Sequence, residues 1–153
     1  MRKVKDCHLL EEIALSKDTT RIGKSAFENS KWLKRVTNAG AITSIGAQAF
    51  SGCQSLETID LSDCLQELGN RCFEHCVSLT EISLSPQLQK IPERAFFRCK
   101  SLRRVTIPKS VKVIEAEAFA FCDNLEEIHV PEITQLDDEA FHFCDAIKIV
   151  RYH

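Results

Sequence analysis

The chain has 153 residues with a formal net charge of −2, and its residues are 44% hydrophobic and 27% charged. This balance suits one soluble domain with a core and gives no reason to expect nucleic acid or membrane insertion. Acidic residues interrupt the basic N-terminal stretch, so we expect no signal peptide. The chain as it stands is then expected in the cytoplasm, or on the cell surface or secreted if it is a fragment of a longer protein.

One pattern repeats along the whole sequence. In most copies a small residue precedes a phenylalanine, a cysteine follows three places later and a leucine or isoleucine six places later. The phenylalanines recur in steps of 23 residues with a last step of 22, at Phe27, Phe50, Phe73, Phe96, Phe119 and Phe141. Such a period predicts stacked structural repeats. We therefore predict a single domain over residues 1–153, with a partial first repeat at 4–21 and repeats that start near residues 22, 45, 68, 91, 114 and 136.

Each repeat contains two apolar stretches and a compact turn-like segment. The "LxxIxL" stretch ends in alternation, which predicts a strand with Ile59 and Leu61 pointing inward and their neighbours outward. In the last copy this register places Ile149 and Arg151 outward. The "GxxAFxxC" segment puts its small residue, phenylalanine and cysteine on one face of a short helix. Stacking these units predicts a parallel strand ladder, with short helices on the opposite side.

Two copies of the repeat carry a family resemblance. "IGAQAFSGCQSLETIDLS", residues 45–62, and "IPERAFFRCKSLRRVTIP", residues 91–108, closely resemble the 23-residue BspA-like leucine-rich repeat. The resemblance covers essentially the whole chain. It implies a right-handed leucine-rich-repeat solenoid that acts as a binding surface, often in cell-surface adhesion or host contact, without catalysis.

The cysteines occupy a repeated position. Six of the eight share one slot, namely Cys7, Cys53, Cys76, Cys99, Cys122 and Cys144. Stacked slots lie about 5 Å apart, a spacing that a disulfide could also span. However, side chains in stacked slots run parallel, and Ser30 takes the same slot, so a small buried side chain suffices there. We expect a buried column of reduced thiols, with a native disulfide as the alternative.

No group of residues predicts chemistry at a metal or an active site. The stretch "CFEHC", residues 72–76, suggests zinc, but Cys76 belongs to the inward column while His75 should face solvent. Zinc requires converging ligands, so we predict no metal site. No nucleophile, phosphate-binding loop or acid–base pair is arranged for catalysis. We predict that the protein is not an enzyme and uses no cofactor.

The outward strand positions are the predicted contact surface. In a solenoid the strand ladder usually forms the docking face. A protein or glycan partner is expected on the residues of its middle rungs: Arg35, Thr58, Asp60, Glu81, Ser83, Arg104, Thr106, Glu127 and His129. The alternative is a structural spacer or capping segment of a larger multidomain surface protein. Because no polar cap is evident, end-to-end self-association is a further expectation.

Two other surface patterns follow from the register. Oppositely charged residues 23 apart should neighbour one another on adjacent rungs and stabilise the stack. These pairs are Arg94–Glu117, Lys100–Asp123, Arg103–Glu126, Arg104–Glu127 and Lys109–Glu132. Extra aromatic residues, Phe97, Phe121 and Phe143, should lie on or near the helix side, where they either pack together or form an exposed apolar patch.

Overall fold

The structure is a parallel-strand solenoid of about six turns. The computed structural model describes residues 10–37 and 39–153, so Cys7 and the start of the partial first repeat fall outside it. The strands are β1 Glu12–Ala14, β2 Arg21–Ile22, β3 Arg35–Thr37, β4 Ser44–Ile45, β5 Thr58–Ile59, β6 Glu67–Leu68, β7 Lys90–Ile91, β8 Arg104–Thr106, β9 Val113–Ile114, β10 Glu127–Pro131, β11 Gln135–Leu136 and β12 Lys148–Tyr152.

The strands form two parallel ladders along the stack. The first ladder comes from the "LxxIxL" stretches and contains β1-β3-β5 and β8-β10-β12. The second ladder comes from the following apolar stretch and contains β2-β4-β6 and β7-β9-β11. Arg35 pairs with Thr58, Ser44 with Glu67, and Arg104 with Glu127. Residues 23 apart are therefore neighbours, and the predicted ladder register is confirmed in these rungs.

The predicted short helices are wrong. No helix is found in residues 10–37 or 39–153, and the "GxxAFxxC" segments are series of tight turns, which we call the turn side. The residues two before and two after each of the first five stacked phenylalanines adopt left-handed backbone angles, as at Ser25 and Asn29, with φ of 56° and 61°. At Phe141 only the residue two after it, Phe143, does so. These angles are not compatible with an α-helix. Inward residues lie three apart both in a helix and in these turns, so this spacing in the sequence does not distinguish the two structures.

The turn side forms a third hydrogen-bonded ladder. Alternate amides bond within the rung, as when Ala26 N donates to Gly23 O at 3.2 Å. The amides between them bond to the next rung, as when Phe27 N donates to Ala49 O at 2.8 Å. The left-handed residues make this alternation possible, because they turn successive amides in different directions. The buried turns thereby satisfy their backbone amides without helix geometry.

The core is built from columns of identical residues. The six phenylalanine rings stack along the solenoid, with neighbouring centroids 5.1 to 5.6 Å apart. Phe27, Phe50, Phe73, Phe96 and Phe119 are completely buried. Leucine, isoleucine and valine columns from both ladders complete the interior. Every rung thus covers the apolar side of its neighbour, which is what a 23-residue unit cannot do alone.

The cysteine column is buried as predicted. The seven described cysteines are free, and all are buried except Cys64. In the column, each thiol donates to the phenylalanine carbonyl of the preceding rung: Cys53 Sγ to Phe27 O at 3.2 Å, and Cys76 Sγ to Phe50 O at 3.2 Å. The same bond recurs at Cys99, Cys122 and Cys144. The column therefore links adjacent rungs by hydrogen bonds.

Two glycines allow the N-terminal rungs to approach closely. A Cβ at Gly46 would lie 2.5 Å from Lys24 N, and a Cβ at Gly69 would lie 2.2 Å from Ala47 N. Their role is to leave space, since neither has a positive φ. In the next rung the same slot holds Pro92, which changes the hydrogen bonding.

Regular strand pairing is interrupted in the middle of the molecule. Glycine or acid amides in this slot donate to the preceding rung, as Gly69 N does to Ile45 O at 2.7 Å and Glu115 N to Ile91 O at 2.9 Å. Pro92 has no amide hydrogen to give to Leu68 O. No strand pairing joins β6 to β7, and residues 81–83 form no strand between β5 and β8. We call this interruption the seam.

The last strand departs from the predicted register. Lys148 pairs with Glu127, and Ile149 pairs with the inward Ile128, a step of 21 residues where the sequence pattern gives 22. Ile149 is nevertheless 41% exposed, and Arg151 is exposed, as expected. The segment from Cys144 to the start of β12 is one residue shorter than the equivalent segment from Cys122 to the start of β10. Arg151 Nη1 donates to the carbonyls of Pro131 and Thr134 at 2.8 and 2.9 Å. These bonds tie Arg151 to the turn between β10 and β11, which the sequence does not suggest.

Candidate functional site

The predicted contact residues lie on the outward face of the first ladder. Arg35 and Thr58 are direct neighbours in β3 and β5, and Thr106 neighbours His129 in β8 and β10. Asp60 is exposed just after β5. The structure brings these side chains into two groups, one on each side of the seam.

Two of the predicted residues occupy the seam itself. Glu81 and Ser83 are exposed, with the buried Ile82 between them. Their inward–outward alternation therefore matches that of a strand, although no strand pairing holds them. The face is continuous in side-chain placement but interrupted in backbone bonding.

Charges on the C-terminal group are locally paired. His129 Nε2 contacts Glu127 Oε1, two residues away along β10. The hydrogen bond from His129 holds the pKa of the Glu127 carboxyl below its usual range, and the charges of Lys148 and Arg104 add to this effect. Arg104 is exposed beside Glu127 in the ladder register but makes no ion pair within 4 Å among the described residues. It is therefore free to meet an external carboxylate.

One large aromatic side chain stands near the N-terminal group. Trp32 is 52% exposed and precedes β3, which carries Arg35. Tryptophan and arginine are the residue types most enriched at the energetic centres of protein interfaces. The sequence position indicates only that Trp32 lies near the face, and its exposure adds a reason to include it.

Two of the five predicted charge pairs form ion pairs. Arg94 Nε lies 3.2 Å from Glu117 Oε1, and Arg103 Nη2 lies 2.8 Å from Glu126 Oε1. The Arg103 guanidinium lowers the pKa of the Glu126 carboxyl by its hydrogen bond and charge. No ion pair forms between the described partners of the other three pairs: Arg104–Glu127, Lys100–Asp123 and Lys109–Glu132.

The turn side carries a row of aromatic and cationic side chains. Phe97 and Phe121 meet edge to face with centroids 5.4 Å apart, and Phe121 stacks on Phe143 at 4.6 Å. The guanidinium of Arg94 lies 4.4 Å from the centre of the Phe97 ring, and that of Arg98 lies 4.7 Å from Phe121. Phe97 is buried, while Phe143 is 54% exposed. The three rings therefore pack together, and of the three only the last presents a large apolar surface.

A polar groove lies over the second ladder and is not visible in the sequence pattern. Its larger part has a volume of 960 Å³ and lies around β4, β6 and the start of β7. A second part of 540 Å³ continues toward β9 and β11. Asn70 and Lys90 line both parts, so the two are adjoining parts of one groove. The larger part lies beside the seam, which the periodic pattern does not show.

Nothing in the described part of the chain forms a metal site or a membrane span. Among residues 10–37 and 39–153, no three histidine, cysteine or acidic side chains converge as ligands would. The candidate cluster of Cys72, His75 and Cys76 has two buried thiols, and burial raises the pKa of each. No helix in the described residues is long and apolar enough to cross a bilayer.

The stacked rungs and their phenylalanine and cysteine columns match a known repeat. The family model for the BspA type leucine rich repeat region matches residues 20–148 in six copies. The chain belongs to the BspA-type leucine-rich repeat family. Leucine-rich repeat proteins of this kind are non-enzymatic and typically act as binding modules. Among curated proteins, no sequence matches this chain.

Solved leucine-rich repeat structures share the fold. A leucine rich repeat protein of T. pallidum is 29% identical, with a TM-score of 0.82 over 92% of this chain and 69% of its own. A Bacteroides ovatus leucine-rich repeat protein is 26% identical, with a TM-score of 0.73 over 95% of this chain and 43% of its own. A leucine rich cell surface protein of Faecalibacterium prausnitzii is 20% identical, with a TM-score of 0.58 over 95% of this chain and 60% of its own. The last likeness concerns the fold alone.

Proposed function

We propose that this repeat domain is a non-catalytic binding module that holds a protein partner on the outward face of the first ladder. The observation that carries the proposal is the regular placement of exposed or partly exposed side chains, at two positions per rung, on a backbone fixed by its buried core. Such a face can be ordered before binding, which lowers the entropic cost of association.

The chemistry of the face favours a protein of mixed charge. Arg35 and Arg104 are exposed cations, whereas Asp60 and Glu81 are exposed acids. Charges of both signs select a partner with a complementary pattern, and they discriminate against a polyanion such as nucleic acid. Trp32 and the two arginines are the expected anchors, since these residue types dominate binding energies at protein interfaces.

The test compares substitutions on this face with substitutions away from both ladders. The face variants are Trp32→Ala with Arg35→Ala, and Arg104→Ala with Thr106→Ala. The matched control is Lys100→Ala with Asp123→Ala, where both side chains are exposed and belong to neither ladder. A partner captured with the unaltered domain should bind the control normally and each face variant at least about tenfold more weakly, as expected for anchor residues.

Two results would count against the proposal. If the control or a turn-side variant at Phe143 loses the partner while the face variants keep it, the first ladder is not the contact surface. If no protein binds the domain under any condition, the domain is instead a structural spacer within a larger protein.

A further inference from the structure

We propose that the groove over the second ladder is a binding site for a neutral oligosaccharide. This site lies on the second ladder rather than the first, and it does not depend on the partner proposed for the protein-contact face. It is carried by the shape of the groove, by the interrupted backbone pairing at the seam and by the composition of the lining.

The groove has the size and form that a short chain of sugar rings requires. Its larger part holds 960 Å³, near the upper end of the range of about 300–1,000 Å³ for small-ligand sites. The adjoining 540 Å³ extends it along the solenoid axis. An elongated, open groove suits a linear ligand that lies across several rungs, rather than a compact ligand that needs enclosure.

The seam leaves backbone hydrogen-bonding groups available along this groove. In the other rungs the equivalent carbonyls accept amides from the next rung, as Thr43 O accepts from Gln66 N at 2.8 Å and Gln89 O from Lys112 N at 2.8 Å. No such bond joins the amide of Gln89 to the carbonyl of Gln66, and Pro92 cannot donate to Leu68 O. The polar edge of β6 therefore faces the groove without its usual partner strand.

The lining of the larger part of the groove is dominated by uncharged donors and acceptors. Four primary amides line the larger part: Gln66, Asn70, Gln87 and Gln89. A primary amide carries both donor and acceptor groups, and of these four the Gln87 Nε2 already donates to Asp63 O at 3.1 Å. Ser44 and Ser110 add hydroxyls, and the Ser110 oxygen is buried with no hydrogen-bond partner among the described residues. Sugar hydroxyls also donate and accept at once, so they match amides and serines better than a purely accepting or donating ligand does.

The charges and apolar groups of the lining argue against other ligand classes. Among the described residues that line the larger part, only Glu67 and Lys90 are charged, and Lys90 lies 3.7 Å from Glu115. The second part adds Glu93, Glu115 and Asp137, so the two parts together hold four acids and one lysine. This excess of negative charge disfavours a polyanion. Ile45 and Leu68 are buried, so they provide no open pocket for a large apolar side chain. A peptide would lack the anchor that usually supplies its binding energy.

The experiment uses neutral tetrasaccharides and the whole chain. Maltotetraose, cellotetraose, mannotetraose and tetra-N-acetylchitotetraose are titrated to millimolar concentrations against isotope-labelled protein while amide chemical shifts are recorded. At least one should shift the signals of Gln66, Asn70 and Gln89 in a saturable manner, and leave those of Thr58 and Thr106 in place. The groove variant Gln66→Ala with Gln89→Ala should weaken this binding about tenfold or more, because it removes several hydrogen bonds.

A matched variant and a charged probe complete the test. Thr58→Ala with Thr106→Ala alters two side chains of the first ladder and should leave sugar affinity unchanged. Melting curves that match those of the unaltered protein show that each variant is folded. Failure of all four sugars to bind, shifts confined to the first ladder, or tighter binding of a sulfated tetrasaccharide would each overturn the proposal. None of these results affects the protein-contact face, whose own variants test it separately.

Discussion

The turn side and the strand side of this solenoid hold the same rungs together in different ways. On the turn side, bonds cross every described pair of rungs, including the one at the seam, where Phe73 N donates to Ala95 O at 2.9 Å. On the strand side, both ladders stop in the middle of the molecule. The rings of Phe73 and Phe96 nevertheless stack at the usual 5.5 Å.

This difference separates two roles within one repeat. The phenylalanine stack, the thiol bonds and the turns keep the rungs in register, so the strands are free to vary locally. Where strand pairing lapses, the core stays closed because Ile82, Leu88 and Ile91 remain buried. The strand side can therefore carry binding surfaces without loss of the fold. Four measurements test whether the two sides divide the work in this way.

Alkaline pH should weaken the turn side more than any single substitution does. Burial raises the pKa of Cys53 to about 12, from an ordinary value of 9.0, and raises those of Cys72, Cys76 and Cys99 as well. The unfolded chain then loses protons first as pH rises above 9.0, so stability is complete below that pH and falls toward pH 12. Each such thiol removes about 1.4 kcal/mol per pH unit within this window.

The measurement is the free energy of unfolding by urea at several pH values. Tyrosine and lysine also titrate in this range, so the control is Cys99→Ser, which keeps a hydroxyl donor as Ser30 does. The free energy of unfolding of this variant should fall less steeply with pH, because one proton fewer is released on unfolding. Equal slopes in the two proteins would show that Cys99 ionises as readily in the folded state as in the unfolded one.

Removing one ring from the stack at the seam should be more damaging than any change to the surface of the solenoid. Phe96 is completely buried between Phe73 and Phe119. Phe96→Ala leaves a cavity and should cost about 3–5 kcal/mol of unfolding free energy. Phe141→Ala is the control, because Phe141 is only partly buried at the final rung. If Phe96→Ala loses no more unfolding free energy than Phe141→Ala, the phenylalanine stack does not hold the two rungs at the seam together.

The row of aromatic and cationic side chains on the turn side should contribute less to stability than the buried Phe96 ring. Arg94→Ala removes both the ion pair with Glu117 and the contact with the Phe97 ring. Because the Arg94 side chain is 29% exposed, solvent screens these contacts, and we expect a loss of about 1 kcal/mol. The salt dependence of melting separates the two contributions, since only the ion pair weakens strongly with added salt. Arg94→Lys should keep part of the charge effect but lose the planar contact with the ring.

Restoring a backbone donor at the seam should have the smallest effect on stability. Pro92→Glu places in this slot the residue type found at Glu115, whose amide donates to the preceding rung. One net hydrogen bond is worth about 1 kcal/mol, and the loss of proline's restriction of the unfolded chain offsets part of it. Hydrogen exchange gives the clearer readout, because the amides of residues 81–83 and Gln89 should exchange faster than those of β8 before the substitution. If Pro92→Glu leaves the exchange of Gln89 unchanged, the proline is not the cause of the interruption.

The repeat itself could be predicted from sequence because burial imposes the same residue at the same slot in every rung. The phenylalanine and cysteine columns and the ladder register followed from this constraint. The helix prediction failed because left-handed backbone angles at Ser25, Arg71 or Phe121 leave no mark on composition, as these are ordinary side chains.

Some features of the candidate surfaces could likewise be predicted from the sequence, and others could not. The outward placement of Arg35 or Thr106 follows from alternation along a strand, whereas their role in binding stays a prediction. The groove could not be foreseen, because the repeat pattern gives the register of the rungs and not the open space over the second ladder. The register of β12 was also beyond the sequence, since a loss of one residue between Cys144 and Lys148 leaves the apolar pattern almost intact.

The spacing of the bonds between rungs has a consequence for how such a protein changes its length over generations. Bonds of the turn side recur at a separation of 22 residues, as from Phe27 to Ala49, and those of the second ladder at 24, as from Gly46 back to Ile22. Each repeat therefore carries donors and acceptors for both of its neighbours. Duplication of a block of about 23 codons adds one rung of about 4.8 Å whose groups all meet partners. A single proline codon in the slot of Pro92, by contrast, removes one of these donors without any change in the number of rungs.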